Sequence, residues 1–399
     1  MPTRSSTKQT PLLLVTGIVA LLFAFGGQAY ACAVCLKGIT ITPGQKLDSA
    51  DKAVLALPLA NPGQFHIVEV IKGDVTAGAT ITQPGLSATK SDLVMSMDGP
   101  LASQEVSQAS TKKPLLLVRD KLSEGWASIG AIDAGYAGWL RELAATGHGG
   151  KGRPTGTPAL AALVGANSTN VEWLGRVAVV APQLESTEPL AAEIAYGELA
   201  RAPYDAIRTL KPQLDAAKIA TWVDDQKLEA RLPAYVLLLG IVGGPGAAKE
   251  IDRRIGSSLD KGETANLSAV LAADLELRGP SRVDWLEQTF FADRRRTLPE
   301  IEAALLALSV HGGADTAVWR ARVVQAYRYF INARKPMAGF VAMELANWGA
   351  WEVTADYVEI MRSKAVKDPA GEFAILSYLH ESPATAAVAA SQSSPGRQE

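Results

Sequence analysis

The pattern of apolar and polar positions along the chain changes twice. Residues 11–27, "PLLLVTGIVALLFAFGG", form an apolar run without a charge, preceded by Arg4 and Lys8 and followed by Ala29-Tyr30-Ala31. A basic flank, a greasy core and small cleavage residues in that order predict a signal peptide over 1–31. From Cys32 to about Trp139 the period is short. "KAVLALPLA" is followed by a Pro-Gly break and by "QFHIVEVIKGD", where Phe65, Ile67 and Val70 are interspersed with polar residues. The alternation slips between Val68 and Ile71, as it does at an edge or a bulge. "GATITQPG", "DLVMSM", "KPLLLVRD" and "WASIGAI" add further short strands, and the polar residues 98–114 predict a long loop.

The helical period takes over at "DAGYAGWLRELAA", with Asp133 as its cap and Gly147 at its end. "GHGGKGRPTGTP" then has the composition of a linker. Beyond it, segments from "VEWLGRVAVVAPQL" to "WEVTADYVEIMRS" repeat apolar residues at three-to-four spacing. Gly244, Gly279, Gly312 and Gly349 fall 35, 33 and 37 residues apart, each about the length of a helical hairpin. Broadly apolar hairpins must stack to bury their faces, so the pattern suits a degenerate HEAT-like solenoid or a compact helical domain. The expected architecture is an α+β multidomain chain. It comprises a signal peptide at 1–31, a small all-β OB-like barrel or sandwich at 32–132, a helix and linker at 133–156, an all-α HEAT-like region at 157–381 and a disordered tail at 382–399.

Charge and cysteine usage narrow the classes. The formal charge of −2 becomes about −4 without Arg4 and Lys8, which gives no concentrated positive field for nucleic acid. The one dense basic run, Arg294-Arg295-Arg296, reads as a solvated helix end or turn. The two cysteines, Cys32 and Cys35, stand together at the start of the mature chain, so apolar burial and not disulfides must hold the remainder. Cleavage after Ala31 leaves Cys32 at the N-terminus, where a lipid anchor is an alternative, although Ala29 replaces the Leu-like residue that lipidation favours. After cleavage no transmembrane segment is expected.

Cys at the mature start, "ADKAVLAL", "FHIVEVIKGD" and "LLLVRD...GWASI" resemble the netrin-like and tissue-inhibitor-of-metalloproteinases-like modules, which are small OB-type barrels. "AAEIAYGELARAPYDAI" and the rest are similar to uncharacterised bacterial secreted proteins with HEAT-like helical segments. In the inhibitor family the first cysteine chelates a protease zinc. Here the spacing is Cys-x-x-Cys and the distant partner cysteines are missing.

Cys32 and Cys35 admit three readings: a short disulfide in an oxidising compartment, a metal site for copper or zinc that draws on the terminal amine, His66, Met95 or Met97, or a redox-active pair, although no strand precedes them as in a thioredoxin-like context. His66, His148, His311 and His380 lack zinc-ligand spacing, and Gly-x-Ser-x-Gly, His-Glu-x-x-His and P-loop motifs are absent. Glu193 and Glu198, five apart on one helix, turn to different faces. The tryptophans fit wedges between stacked helices. Trp348 and Trp351 are the exception, two aromatics beside Gly349 that are candidate partner-binding residues. The expected function is a non-catalytic periplasmic or secreted scaffold that binds another envelope or secreted protein, with no cofactor. The alternatives are a metal-handling or thiol-active envelope protein using Cys32 and Cys35, and an enzyme with an unrecognised site in the helical region.

Overall fold

The computed structural model describes residues 41–86, 113–122, 125–146, 170–312 and 317–383. The signal peptide, Cys32, Cys35, "DLVMSM", most of the 98–114 loop, the linker and the tail beyond Pro383 lie outside them. The first described element is a helix within the region that reads as strands. α1 (Pro43–Ser49) starts at a capping box: Thr42 Oγ1 accepts from the Gln45 N–H at 3.2 Å, and Gln45 Oε1 accepts from the Thr42 N–H at 3.0 Å. Pro43 occupies the first helical position, where its missing N–H costs nothing. "Thr-Pro-Gly-Gln" carries this start in the sequence. Thr42→Ala is expected to lower stability by about 1 kcal/mol, read as a shift of the urea midpoint at unchanged slope.

Five antiparallel strands follow: β1 (Lys52–Pro58), β2 (Gln64–Lys72), β3 (Thr80–Thr82), β4 (Leu115–Arg119) and β5 (Ala127–Ala131), in the order β3-β2-β1-β4-β5. β1 is central, and Ala53, Val54, Leu55 and Ala56 are all buried because both faces of the sheet are covered. Ala53 lies opposite Lys72 and Val54 opposite Val70, while Leu55 meets Glu69 and Ala56 meets Ile67. Ile71 and Val68 are therefore the extra residues of two bulges in β2, at the two ends of the segment where the alternation slips.

The sheet is open, and the expected OB-like barrel is not formed. Closure would require the two edge strands to pair, whereas β3 has three residues and β5 five, and no hydrogen bonds join them. One face, carrying Ala53, Leu55, Ile71, Leu116, Val118 and Ile129, joins the same core as the helices, among them Leu47 of α1 and Leu140 of α2 (Ala137–Ala145). A barrel would turn that face onto its own strands. Val54, Ala56, Phe65, Ile67, Ile81, Leu115 and Leu117 form a second core on the opposite face, with Trp126 and Leu86 packed against it.

The helical region expected from the sequence is present. It runs through α3 (Asn170–Val180), α4 (Pro189–Arg201), α5 (Tyr204–Arg208), α6 (Ala216–Asp224), α7 (Leu232–Val242), α8 (Pro245–Lys261), α9 (Leu267–Arg278) and α10 (Arg282–Leu286). A π-helical turn over Glu287–Ala292 then leads to α11 (Leu298–Gly312), α12 (Ala317–Ala333), α13 (Ala342–Asn347), α14 (Thr354–Ser363) and α15 (Pro369–Glu381). α7, α9 and α11 lie side by side in one row, with α8 against α7 and α9, and the π-helical turn against α11 and α12. The sequence distinguishes these positions. α7 is buried from Pro233 to Ile241, as an inner helix that is apolar all round must be, while α8 buries only Ala247, Ile251 and Ile255, four apart on one stripe. One continuous apolar cluster joins Leu47 beside the sheet to Tyr378 in α15.

Candidate functional site

Among the ionisable side chains that the fold encloses are two groups built across several elements of the sheet-facing and central helices. In the first, Arg176 of α3 is fully buried and its guanidinium reaches three elements. Its Nε donates to Glu198 of α4, Nη2 to Asp48 Oδ2 of α1 at 2.8 Å, and Nη1 to the Leu143 carbonyl of α2 at 3.3 Å. Arg201 supplies a second cation to Glu198 at 2.9 Å. Gly44 makes the approach of α1 feasible, because a Cβ there would lie 2.0 Å from Glu198 Oε1. Burial pushes the Asp48 carboxyl up to about 6 against the pull of Arg176. Glu198 does point away from Glu193, which is half-buried, but it faces the interior, not solvent.

The second group surrounds His311, at the end of α11. Its Nε2 lies 2.9 Å from the Ala272 carbonyl of α9, and its ring stacks on Trp319 of α12 with centroids 4.3 Å apart. Glu276 of α9 accepts from the Tyr204 hydroxyl at 2.7 Å and from Arg208 Nε at 3.1 Å. Arg176, Glu198 and His311 have no solvent-exposed surface, so in this arrangement a substrate does not reach them.

The surface that offers contacts lies at the C-terminal end. Gly339 and Gly371 let the 3-10 segment Lys335–Val341 and α15 meet backbone to backbone, since a Cβ on Gly339 would fall 2.4 Å from Gly371 Cα. α15 turns Gly371, Ala374, Ile375 and Tyr378 inward. Its other side presents Phe373 and Leu376, 55% and 50% exposed. Beside it, Phe340 and Met343 are 43% and 60% exposed. The described residues expose nine large hydrophobic side chains; these four include both phenylalanines and the methionine, so the aromatic and thioether surface is concentrated in the last elements.

Trp348 and Trp351 lie next to this region and are half-buried. Trp348 stacks on Tyr327, with centroids 5.7 Å apart and planes 6° from parallel, and covers Gly312, where a Cβ would be 2.3 Å from its ring. Below it the buried Tyr327 hydroxyl donates to Glu344 at 2.6 Å. Trp351 leans on Tyr378, whose hydroxyl donates to the Ala350 carbonyl at 2.6 Å. Each tryptophan thus gives one ring face to the core. For two of these four side chains the sequence held a signal: α15 carries two apolar sets, Ala374-Ile375-Tyr378 and Phe373-Leu376, and the fold buries only the first.

Among the described residues there is no disulfide, no group of three or more His, Cys, Asp or Glu able to hold a metal, and no helix long and apolar enough to cross a membrane. Cys32, Cys35, His148, Met95 and Met97 lie outside those residues, and His66 is half-buried on β2 opposite Leu57 and Thr80. Arg294-Arg295-Arg296 sits in the turn before α11, where Arg295 is exposed and Arg296 pairs with Glu300 at 2.9 Å. Compared with known protein families, curated proteins and solved structures, the chain matches none.

Proposed function

We propose that this chain is an exported, non-catalytic binding protein that engages another envelope or secreted protein through its C-terminal helices. One observation carries the reading: Phe340, Met343, Phe373 and Leu376 stand exposed in the final described elements, whereas most other large apolar side chains among the described residues are enclosed. Aromatic and methionine side chains of this kind supply the anchors of protein interfaces. Trp348 and Trp351 adjoin the same elements, their inner faces fixed by Tyr327 and Tyr378. The signal-peptide pattern at 1–31 supports an encounter in the periplasm or outside the cell.

The test is site-specific photo-crosslinking in the native host with benzoylphenylalanine at positions 340 and 373, and at exposed Asp260 of α8 as the control. A discrete crosslinked protein is expected from 340 or 373 but not from 260, and it should disappear in M343D/L376D. Those exposed substitutions are expected to leave folding stability within about 0.5 kcal/mol of the parent. Crosslinks that are absent at 340 and 373, or the same at 260, would remove the proposal.

A further inference from the structure

We infer that the His311 junction is an acid-sensitive latch, in which neutral His311 holds α5, α9, α11 and the start of α12 together and its protonation releases them. The geometry fixes the neutral tautomer. With Nε2 2.9 Å from the Ala272 carbonyl, that nitrogen must carry the hydrogen, which leaves Nδ1 with a bare lone pair. Nδ1 is buried without a hydrogen-bond partner and lies 4.0 Å from Glu276 Oε2. At 4.0 Å Glu276 Oε2 is beyond hydrogen-bond reach of Nδ1, and Glu276 already balances the charge of Arg208, so it offsets a second cation only in part. Around the ring, α5 contributes Tyr204 and Arg208, α9 contributes Glu276, and α12 contributes Trp319 together with Arg320, which donates to the Gly312 carbonyl at 3.0 Å. A proton on His311 therefore adds a second positive charge beside Arg208 in an enclosed site whose one carboxylate is shared.

Burial lowers the imidazole to about 4 from its ordinary 6.5, with Arg208 acting in the same direction and Ala272 and Glu276 against it. The sign follows from linkage. A folded-state value below the unfolded one means that the opened state binds the proton more readily, so stability from this group is full above about pH 6.5 and declines as pH falls toward 4. Asp48 acts oppositely in an overlapping window: its raised carboxyl favours the folded state at low pH and loses that contribution as pH rises through about 6. Overall stability thus mixes the two, and the latch must be read locally and by difference.

The experiment is hydrogen-exchange mass spectrometry of the full chain at pH 7.5 and 4.5, corrected for intrinsic exchange, for the parent and His311→Gln. Glutamine keeps a donor for the Ala272 carbonyl but does not titrate. In the parent, opening of peptides from α9 and α11 is expected to rise on the order of 50- to 100-fold relative to peptides from β1 and β4. In H311Q that acid-dependent rise should vanish. Equal rises in parent and variant would overturn the latch. Should H311Q fail to fold, nitrogen-15 NMR of the parent's four histidines decides. One imidazole held as the Nε2–H tautomer down to about pH 5 sustains the inference, and four titrating near 6.5 defeat it.

Discussion

Arg176→Met is expected to destabilise the protein by about 3–5 kcal/mol, visible as a large fall in the urea midpoint. The substitution leaves the fully buried Glu198 without its Arg176 partner and takes the guanidinium from Asp48, while the Leu143 carbonyl loses a donor. Glu198 keeps Arg201, but two neighbouring carboxylates, Glu198 and Asp48, are then left under-compensated in the interior, and that, not the lost attraction itself, supplies most of the cost. The same logic makes the triple variant D48L/R176M/E198L recover most of the loss, because it removes charges from both sides of the cluster. R176M unfolding at the parent midpoint, or a triple variant no better than R176M, would show that the cluster does not hold α1, α2, α3 and α4 together as described.

Gly240 provides the second large effect. It lies in the middle of α7, where glycine is about 1 kcal/mol poorer than alanine in an open helix. The helix nevertheless requires it, since an added Cβ would sit 2.7 Å from Ala273 Cα and 2.9 Å from the Ala273 carbonyl oxygen in α9. Backbone cannot step aside as a side chain end can. Gly240→Val is therefore expected to cost about 3 kcal/mol, and Gly240→Ala to destabilise despite its better helix propensity. Gly256 in α8 is the control, with nothing within 4 Å of an added Cβ. Gly256→Ala should stabilise by about 0.5–1 kcal/mol. Thermal and urea unfolding of the two alanine variants gives opposite signs if α7 and α9 touch as described; a stabilised G240A would contradict that contact.

The C-terminal surface and the enclosed clusters differ in how far they could be read beforehand. Most helices from α3 to α14 announced themselves through three-to-four spacing, yet α5, α8 and α15 did not. α8 is largely polar, with one narrow apolar stripe, and α15 is preceded by Lys364, whose positive φ of 54° ends α14 without a glycine to mark the break. Glu198 and His311 could not be distinguished from surface residues by their neighbours in sequence. The Arg176 that buries its charge against Glu198, and the Glu276 and Tyr204 that face His311, lie tens of residues away.

Local chemistry determined what depends on neighbours along the chain: the strands around Ala53 and Leu116, the slip at Val68 and Ile71, and the three-to-four period of strongly apolar helices such as α7. Period and capping act within a few residues, so they are written in the sequence itself. Tertiary structure decided whether the sheet closed, which acids became enclosed, and which of two apolar faces on α15 met solvent. Edge pairing, the solvation of a charge and the covering of a helix face all depend on which distant segment arrives first at that surface, and no local pattern records it.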